Sequence, residues 1–120
     1  MERRGQKPHR GRLSEAIREE IEIILEGELA DPRIGLASVS AVQMAEDARS
    51  ARVLVNVQGD DAEAARTLKG LEAAKNFVRH EIAERLRLRR PPELFFQLDR
   101  SQQLETRVDE LLERAKKRKK

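Results

Sequence analysis

The chain has 120 residues with no Cys, Trp or Tyr, and its 25 Lys or Arg and 22 Asp or Glu make it 39% charged, well above the roughly 25% of an ordinary globular protein. That length supports one hydrophobic core and hence one domain, and the lack of cysteine excludes a disulfide scaffold, a thiolate metal site and a cysteine nucleophile. No window approaches the ~18 uninterrupted apolar residues of a membrane span, and the first residues lack a signal peptide's apolar run, so a soluble cytoplasmic domain is expected.

The net charge of +3 is unevenly distributed. Residues 1–12 hold Arg3, Arg4, Lys7, Arg10 and Arg12 against Glu2, a net of +4, and residues 114–120 reach +6, whereas residues 13–113 sum to −7. Like charges repel and nothing apolar anchors either end. Residues 1–12 therefore read as a disordered basic tail and residues 114–120 as a second one, flanking a domain at 13–113.

From Leu13 the pattern becomes periodic. Leu13, Ile17, Ile21, Ile24, Leu25 and Leu29 recur at spacings of three and four, which predicts a helix with one buried stripe, Ser14 at its N-cap and Asp31-Pro32 at its end. Residues 36–44 predict a strand of imperfect alternation. After a turn at Glu46-Asp47 a cleaner strand follows, with Ala51, Val53, Val55 and Val57 on one face and Arg52 and Asn56 on the other. Their closeness in sequence makes the pair antiparallel. Gly59-Asp60-Asp61 closes the second strand and offers an N-cap. Leu68, Leu71, Ala74, Val78, Ile82 and Leu86 then keep a helical period over about 25 residues, a rod of about 37 Å. Compactness favours a bend near Asn76, the residue there most tolerant of left-handed backbone. Pro91-Pro92 stop this stretch. Leu94, Phe96 and Leu98 alternate with Phe95 and Gln97 in a third strand, parallel to the second if they are neighbours. Asp99 or Ser101 caps a last helix with the stripe Leu104, Val108, Leu111, Leu112 and Ala115. The order is α-β-β-α-α-β-α, an α+β sandwich with helices on one face of a three-stranded sheet. No apolar stripe is left over, so a monomer is expected.

Catalysis needs convergent groups, and few exist. His9 and His80 have no third ligand at a metal spacing, and Glu46-Asp47 and Asp60-Asp61 sit at turns where Asp serves the backbone. The six glycines form no phosphate loop. No enzyme activity, catalytic residue, metal or cofactor is expected. Binding is better supported. A third basic block comprises Lys75, Arg79, Arg85, Arg87, Arg89 and Arg90, with only Glu81 and Glu84 opposing it. Guanidinium groups suit phosphate because their planar fork donates two hydrogen bonds. Together with Arg3, Arg4, Lys7, Arg10, Arg12, Lys116, Lys117, Arg118, Lys119 and Lys120, this block predicts a nucleic-acid binder. Only three aromatic residues occur, Phe77, Phe95 and Phe96, and Phe96 belongs to the core. A base-stacking platform is therefore not expected, and recognition should be led by phosphates.

The order of elements and several short runs resemble the ribosome-binding factor A family, over most of the chain. The carrying pieces are Glu28-Leu29-Ala30-Asp31-Pro32-Arg33, Val39-Ser40-Ala41-Val42, Asp47 with Ala51-Arg52-Val53-Leu54-Val55, Leu71-Glu72-Ala73-Ala74-Lys75-Asn76-Phe77-Val78-Arg79, and Pro92-Glu93-Leu94-Phe95-Phe96-Gln97-Leu98-Asp99. The resemblance implies a type II KH-like αββααβ core plus a C-terminal helix. In this family a kink of the form Ala-x-Gly replaces the Gly-x-x-Gly loop, and here the kink reads Ala74-Lys75-Asn76. It further implies a non-enzymatic assembly factor with a part in cold adaptation. Such a factor binds the small (30S) ribosomal subunit late in maturation and assists 16S rRNA processing near the 5′-terminal helix. Interplay with a maturation GTPase is implied as well. The residues alone leave two other readings open, a protein–protein adaptor using the acidic first helix and a general nucleic-acid-binding protein.

Overall fold

The computed structural model describes the backbone of residues 3–27, 29 and 31–118, and the side chains of all of these except 3–10, 102–104 and 118. The elements are α1 (Arg3–Gly27), β1 (Ala37–Met44), β2 (Ser50–Val57), α2 (Asp61–Ala73), α3 (Lys75–Leu86), β3 (Glu93–Leu98) and α4 (Ser101–Arg118). The sheet order is β1-β2-β3, with β1 and β2 antiparallel and β2 and β3 parallel. The crossover through α2 and α3 enforces the parallel pair.

The helical stripe of α1 buries Ile17, Ile21 and Ile24 completely against Val39, Val42, Ala51, Val53, Val55, Leu71, Val78, Ile82 and Leu94. The uneven alternation in β1 has a local cause. The register slips between Val39 and Ala41, so Val39 pairs with Val55 and Val42 with Val53. This β-bulge lets two residues three apart both face the core. Ser40, the extra residue, donates from Oγ to the Leu54 carbonyl at 3.2 Å and to Asp99 Oδ2 at 2.6 Å. The Glu22 carboxylate of α1 accepts the Val39 N–H, satisfying part of the edge of β1.

Helix α2 begins with a capping box in which Glu63 N–H donates to Asp60 Oδ1 at 2.8 Å and Asp60 N–H to Glu63 Oε1 at 3.2 Å. Gly59 precedes it at φ +118°, where a Cβ would lie 2.5 Å from that Glu63 carboxylate. The bend between α2 and α3 falls at Ala74, not at Asn76. Ala74 has φ −89° and ψ 0°, and its N–H donates to the Gly70 carbonyl at 3.0 Å and the Leu71 carbonyl at 3.1 Å. One residue near ψ 0° turns the axis while the backbone stays bonded, so no left-handed residue is needed.

The described parts of both basic ends are helical. Helix α1 includes Arg3 to Arg12, and Ser14 lies inside it rather than at its cap. Once the packed segment nucleates the helix, propagation adds one hydrogen bond per residue except at Pro8, and Arg, Gln and Lys favour it while Gly5, Pro8 and Gly11 oppose it. Likewise α4 runs on to Arg118. Glu110 and Arg114, and Glu113 and Lys117, are spaced i,i+4, and cations near a helix C-terminus oppose its dipole favourably. All described side chains of α4 are exposed, including Val108, Leu111 and Leu112. This is an apolar stripe without a partner among the described residues, which corrects the expectation that none is left over. The radius of gyration, 17.6 Å, accordingly exceeds the about 14 Å of a compact chain this long.

Asp99 joins α4 to the bulge. Its Oδ1 accepts from the Ser101 hydroxyl at 2.6 Å and the Ser101 N–H at 2.9 Å, while Oδ2 takes the Ser40 hydroxyl. Hydrogen bonds from the Ser101 and Ser40 hydroxyls, then the Ser101 N–H, lower its carboxyl from 3.8 to about 2. With the folded value depressed, the tie is fully present above pH 3.8 and lost as pH falls through 2. In an acid titration followed by amide NMR, Ser101 should shift with a midpoint near 2, and Asp99→Ala should remove that transition. A midpoint at the ordinary carboxylate value would show that the tie is absent.

Candidate nucleic-acid interface

The basic block at Lys75 to Arg90 divides into two functional halves. Lys75 Nζ lies 2.8 Å from Glu72 Oε1 and 3.7 Å from Glu93 Oε1, and the Glu72 hydrogen bond above all holds its ammonium above the usual range. Arg79 donates from Nε to the Pro92 carbonyl at 3.0 Å and from Nη2 to the Pro91 carbonyl at 3.1 Å, with Glu93 at 3.7 Å. Its fork thus satisfies the loop where two prolines supply no N–H groups of their own. Arg85 bridges helices, 3.3 Å from Glu20 of α1 and 3.3 Å from Glu81 of α3. All three have partners within the fold.

Arg87, Arg89 and Arg90 are different. All three are exposed, and none forms an ion pair with a described residue. Arg87 ends α3 in the left-handed region, φ 55° and ψ 47°, and the Leu88 N–H reaches back to the Ala83 carbonyl at 2.9 Å. That reversal, normally made by glycine, directs the chain into Arg89-Arg90-Pro91.

The β1–β2 turn closes a notch beside this loop. Ala48 N–H donates to the Ala45 carbonyl at 3.0 Å, Arg49 N–H to Asp47 Oδ1 at 3.0 Å, and Glu93 N–H to the Arg49 carbonyl at 2.8 Å. The parallel pairing of Ser50 with Glu93 brings the two loops together. Between them lies a cavity of about 660 Å³ lined by Arg49, Arg79, Arg89 and Arg90, with Asp47, Ala48 and Pro91. Asp47 is the one carboxylate in that lining. Such a concentration of guanidinium groups raises the local potential for anions. Charge runs along the sequence do not single out Arg49; the parallel pairing of β2 and β3 is the signal that could have found it.

The remaining predicted cations lie apart from the notch in chain position. Arg3, Arg4, Lys7, Arg10 and Arg12 belong to the first turns of α1, where Arg12 is exposed. Lys116 and Lys117 are exposed near the end of α4, Arg118 closes that helix, and Lys119 and Lys120 lie outside the described residues. The kink residues Ala74, Lys75 and Asn76 stand at the α2–α3 junction. Two aromatic rings are exposed, Phe95 at 51% on the face of β3 opposite the core and Phe77 at 44% on α3. Among the described residues no group of three or more His, Asp or Glu could hold a metal ion, and no helix is long and apolar enough to cross a membrane.

These features define an α+β protein with a type II KH-like core and an arginine-lined notch at one end of its sheet. The sequence profile of ribosome-binding factor A matches residues 9–112. A ribosome-binding factor A of Koribacter versatilis (strain Ellin345) is 58% identical over 120 residues, covering 100% of this chain and 98% of the relative. The crystal structure of ribosome-binding factor A from Thermus thermophilus superposes with a TM-score of 0.58 at 31% identity, covering 75% of this chain and 91% of that one. A homology model of the Thermus thermophilus factor, fitted into a cryo-EM map of a 30S–RbfA complex, gives a TM-score of 0.55 at 32% identity and covers 75% and 90%. The chain belongs to the ribosome-binding factor A family.

Proposed function

We propose that this protein is a non-enzymatic assembly factor that binds the free small ribosomal subunit late in its maturation. There it assists processing of 16S rRNA near the 5′-terminal helix, acting in the cytoplasm as a monomer released with the help of a maturation GTPase. The observation that carries the reading is the gathering of Arg49, Arg89 and Arg90 around one cavity, with Arg87 beside them in sequence and free of carboxylates among the described residues. A phosphate rail is the polyanion that such forks fit. Family membership and the 30S complex of the Thermus thermophilus relative support the choice of polyanion. The adaptor reading draws less support from α1, because Glu15 pairs with Arg18, Glu20 with Arg85, and Glu22 with the Val39 N–H.

Sedimentation of a lysate through a sucrose gradient tests the reading. The protein is expected to travel with free small subunits and to return to the top of the gradient after ribonuclease digestion. Migration that is unchanged by ribonuclease would favour a protein partner and overturn the proposal.

A further inference from the structure

Among the described residues helices cover one face of the sheet, the one that buries Ala51, Val53 and Val55. On the other, the strand register aligns Gln43, Arg52 and Phe95 in one row and Ala41, Leu54 and Gln97 in the next. Adjacent strands lie about 4.8 Å apart, so a row of three is about 10 Å wide, room for one nucleobase. A depression of about 430 Å³ opens here, and its lining includes Gln43, Ser50, Arg52, Phe95 and Gln97. The half-exposed Phe95 ring supplies a π-face, the two amides and the hydroxyl can bond base edges, and Arg52 is the one charged group of the lining. Ser50 in this depression directly follows Arg49 in the arginine notch, so the two sites adjoin.

We propose that this open face stacks one unpaired RNA base on Phe95, with the flanking phosphates running into the notch of Arg49, Arg89 and Arg90. The inference rests on the RNA-binding reading above and adds a single-stranded element to it. The adjoining notch with its four arginines argues for a polyanion, and the ring and amides of the depression argue for a base rather than an acidic side chain. Helix α4 starts at the far end of β3 from the Glu93–Phe95 end, and its described side chains face solvent.

The chain contains no tryptophan, so the full-length variant Phe95→Trp carries a single reporter at the site. Its emission should be quenched saturably by a single-stranded adenosine octaribonucleotide, and not by a blunt RNA duplex or an oligoglutamate of equal charge. Phe95→Ala should weaken octamer binding roughly tenfold, within the range for one stacked base, while Phe95→Tyr retains it. Equal quenching by duplex or oligoglutamate, or unchanged octamer affinity of Phe95→Ala, would overturn the proposal. So would emission that is already blue-shifted in the free protein and moves to the red in Leu111→Ser/Leu112→Ser, since α4 would then be the occupant. Small-subunit co-sedimentation measured in parallel separates the two readings. If the wild type fails to bind subunits, the parent reading fails; if it binds and Phe95→Ala has no effect on the octamer, only the base platform fails.

Discussion

Charge reversal at Arg87, Arg89 and Arg90 together is expected to abolish co-sedimentation with small subunits at physiological salt while leaving the fold intact. None of the three has an ion pair among the described residues, and all are exposed, so their replacement removes no packing. If each neutralises one phosphate, losing three should reduce the slope of log affinity against log salt by roughly 2 to 3. The reversed charges add repulsion. Arg85→Gln is the matched control from the same block. It deprives Glu20 and Glu81 of their partner and should lower the unfolding midpoint slightly, with the salt slope unchanged. A third variant dissects Arg87 itself. Its left-handed backbone, φ 55°, costs an L-residue about 1 kcal/mol, so Arg87→Gly should raise stability while weakening subunit binding. Subunit binding by the triple variant with an unchanged salt slope would locate the interface elsewhere.

The sequence carries the periodic features well and the single-residue features poorly. The stripe Ile17, Ile21, Ile24 and the alternation Ala51, Val53, Val55 are buried as read, because burial must repeat with the period of the element. The crossover makes β2 and β3 parallel. What escapes depends on one backbone angle or on a meeting of distant segments. The bend falls at Ala74, where ψ near 0° suffices, although composition points to Asn76. The turn at Arg87 uses a left-handed residue that no propensity favours. Arg79 and Arg85 look like phosphate ligands in a basic run, yet Pro91, Pro92, Glu20 and Glu81 claim them. Those partners stand 4 to 65 positions away, which charge counting along the chain cannot resolve. The helicity of the basic ends escapes for a related reason, since charge runs speak for disorder while helix propagation from a packed neighbour leaves no mark on composition.

The contact between α2 and the loop after α1 gives the largest expected change in stability. Helix propensity alone says that Gly70→Ala should stabilise α2 by about 1 kcal/mol. The packing says otherwise, because a Cβ at Gly70 would lie 2.6 Å from Ile34 Cγ1 and 3.3 Å from Arg33 Cβ. Cγ1 is not the free end of the side chain, so Ile34 must leave its rotamer or the loop must move. Overpacking of this kind costs about 1–3 kcal/mol. One turn earlier, Thr67, 1% exposed, accepts the Gly35 N–H at 3.2 Å and donates to the Arg33 carbonyl at 3.5 Å. The same loop is thus held by close approach at Gly70 and by hydrogen bonds at Thr67. A loop shift that relieves the clash therefore strains the bonds. Gly70→Ala should lower the thermal midpoint by several degrees, whereas Gly27→Ala, with nothing within 4 Å of the added carbon, should hold or raise it. Ile34→Ala combined with Gly70→Ala should cost less than the sum of the two single changes, since the truncated side chain vacates the space. Calorimetry of the four variants decides the matter: a Gly70→Ala protein as stable as the wild type would mean that α2 and the loop do not touch as described.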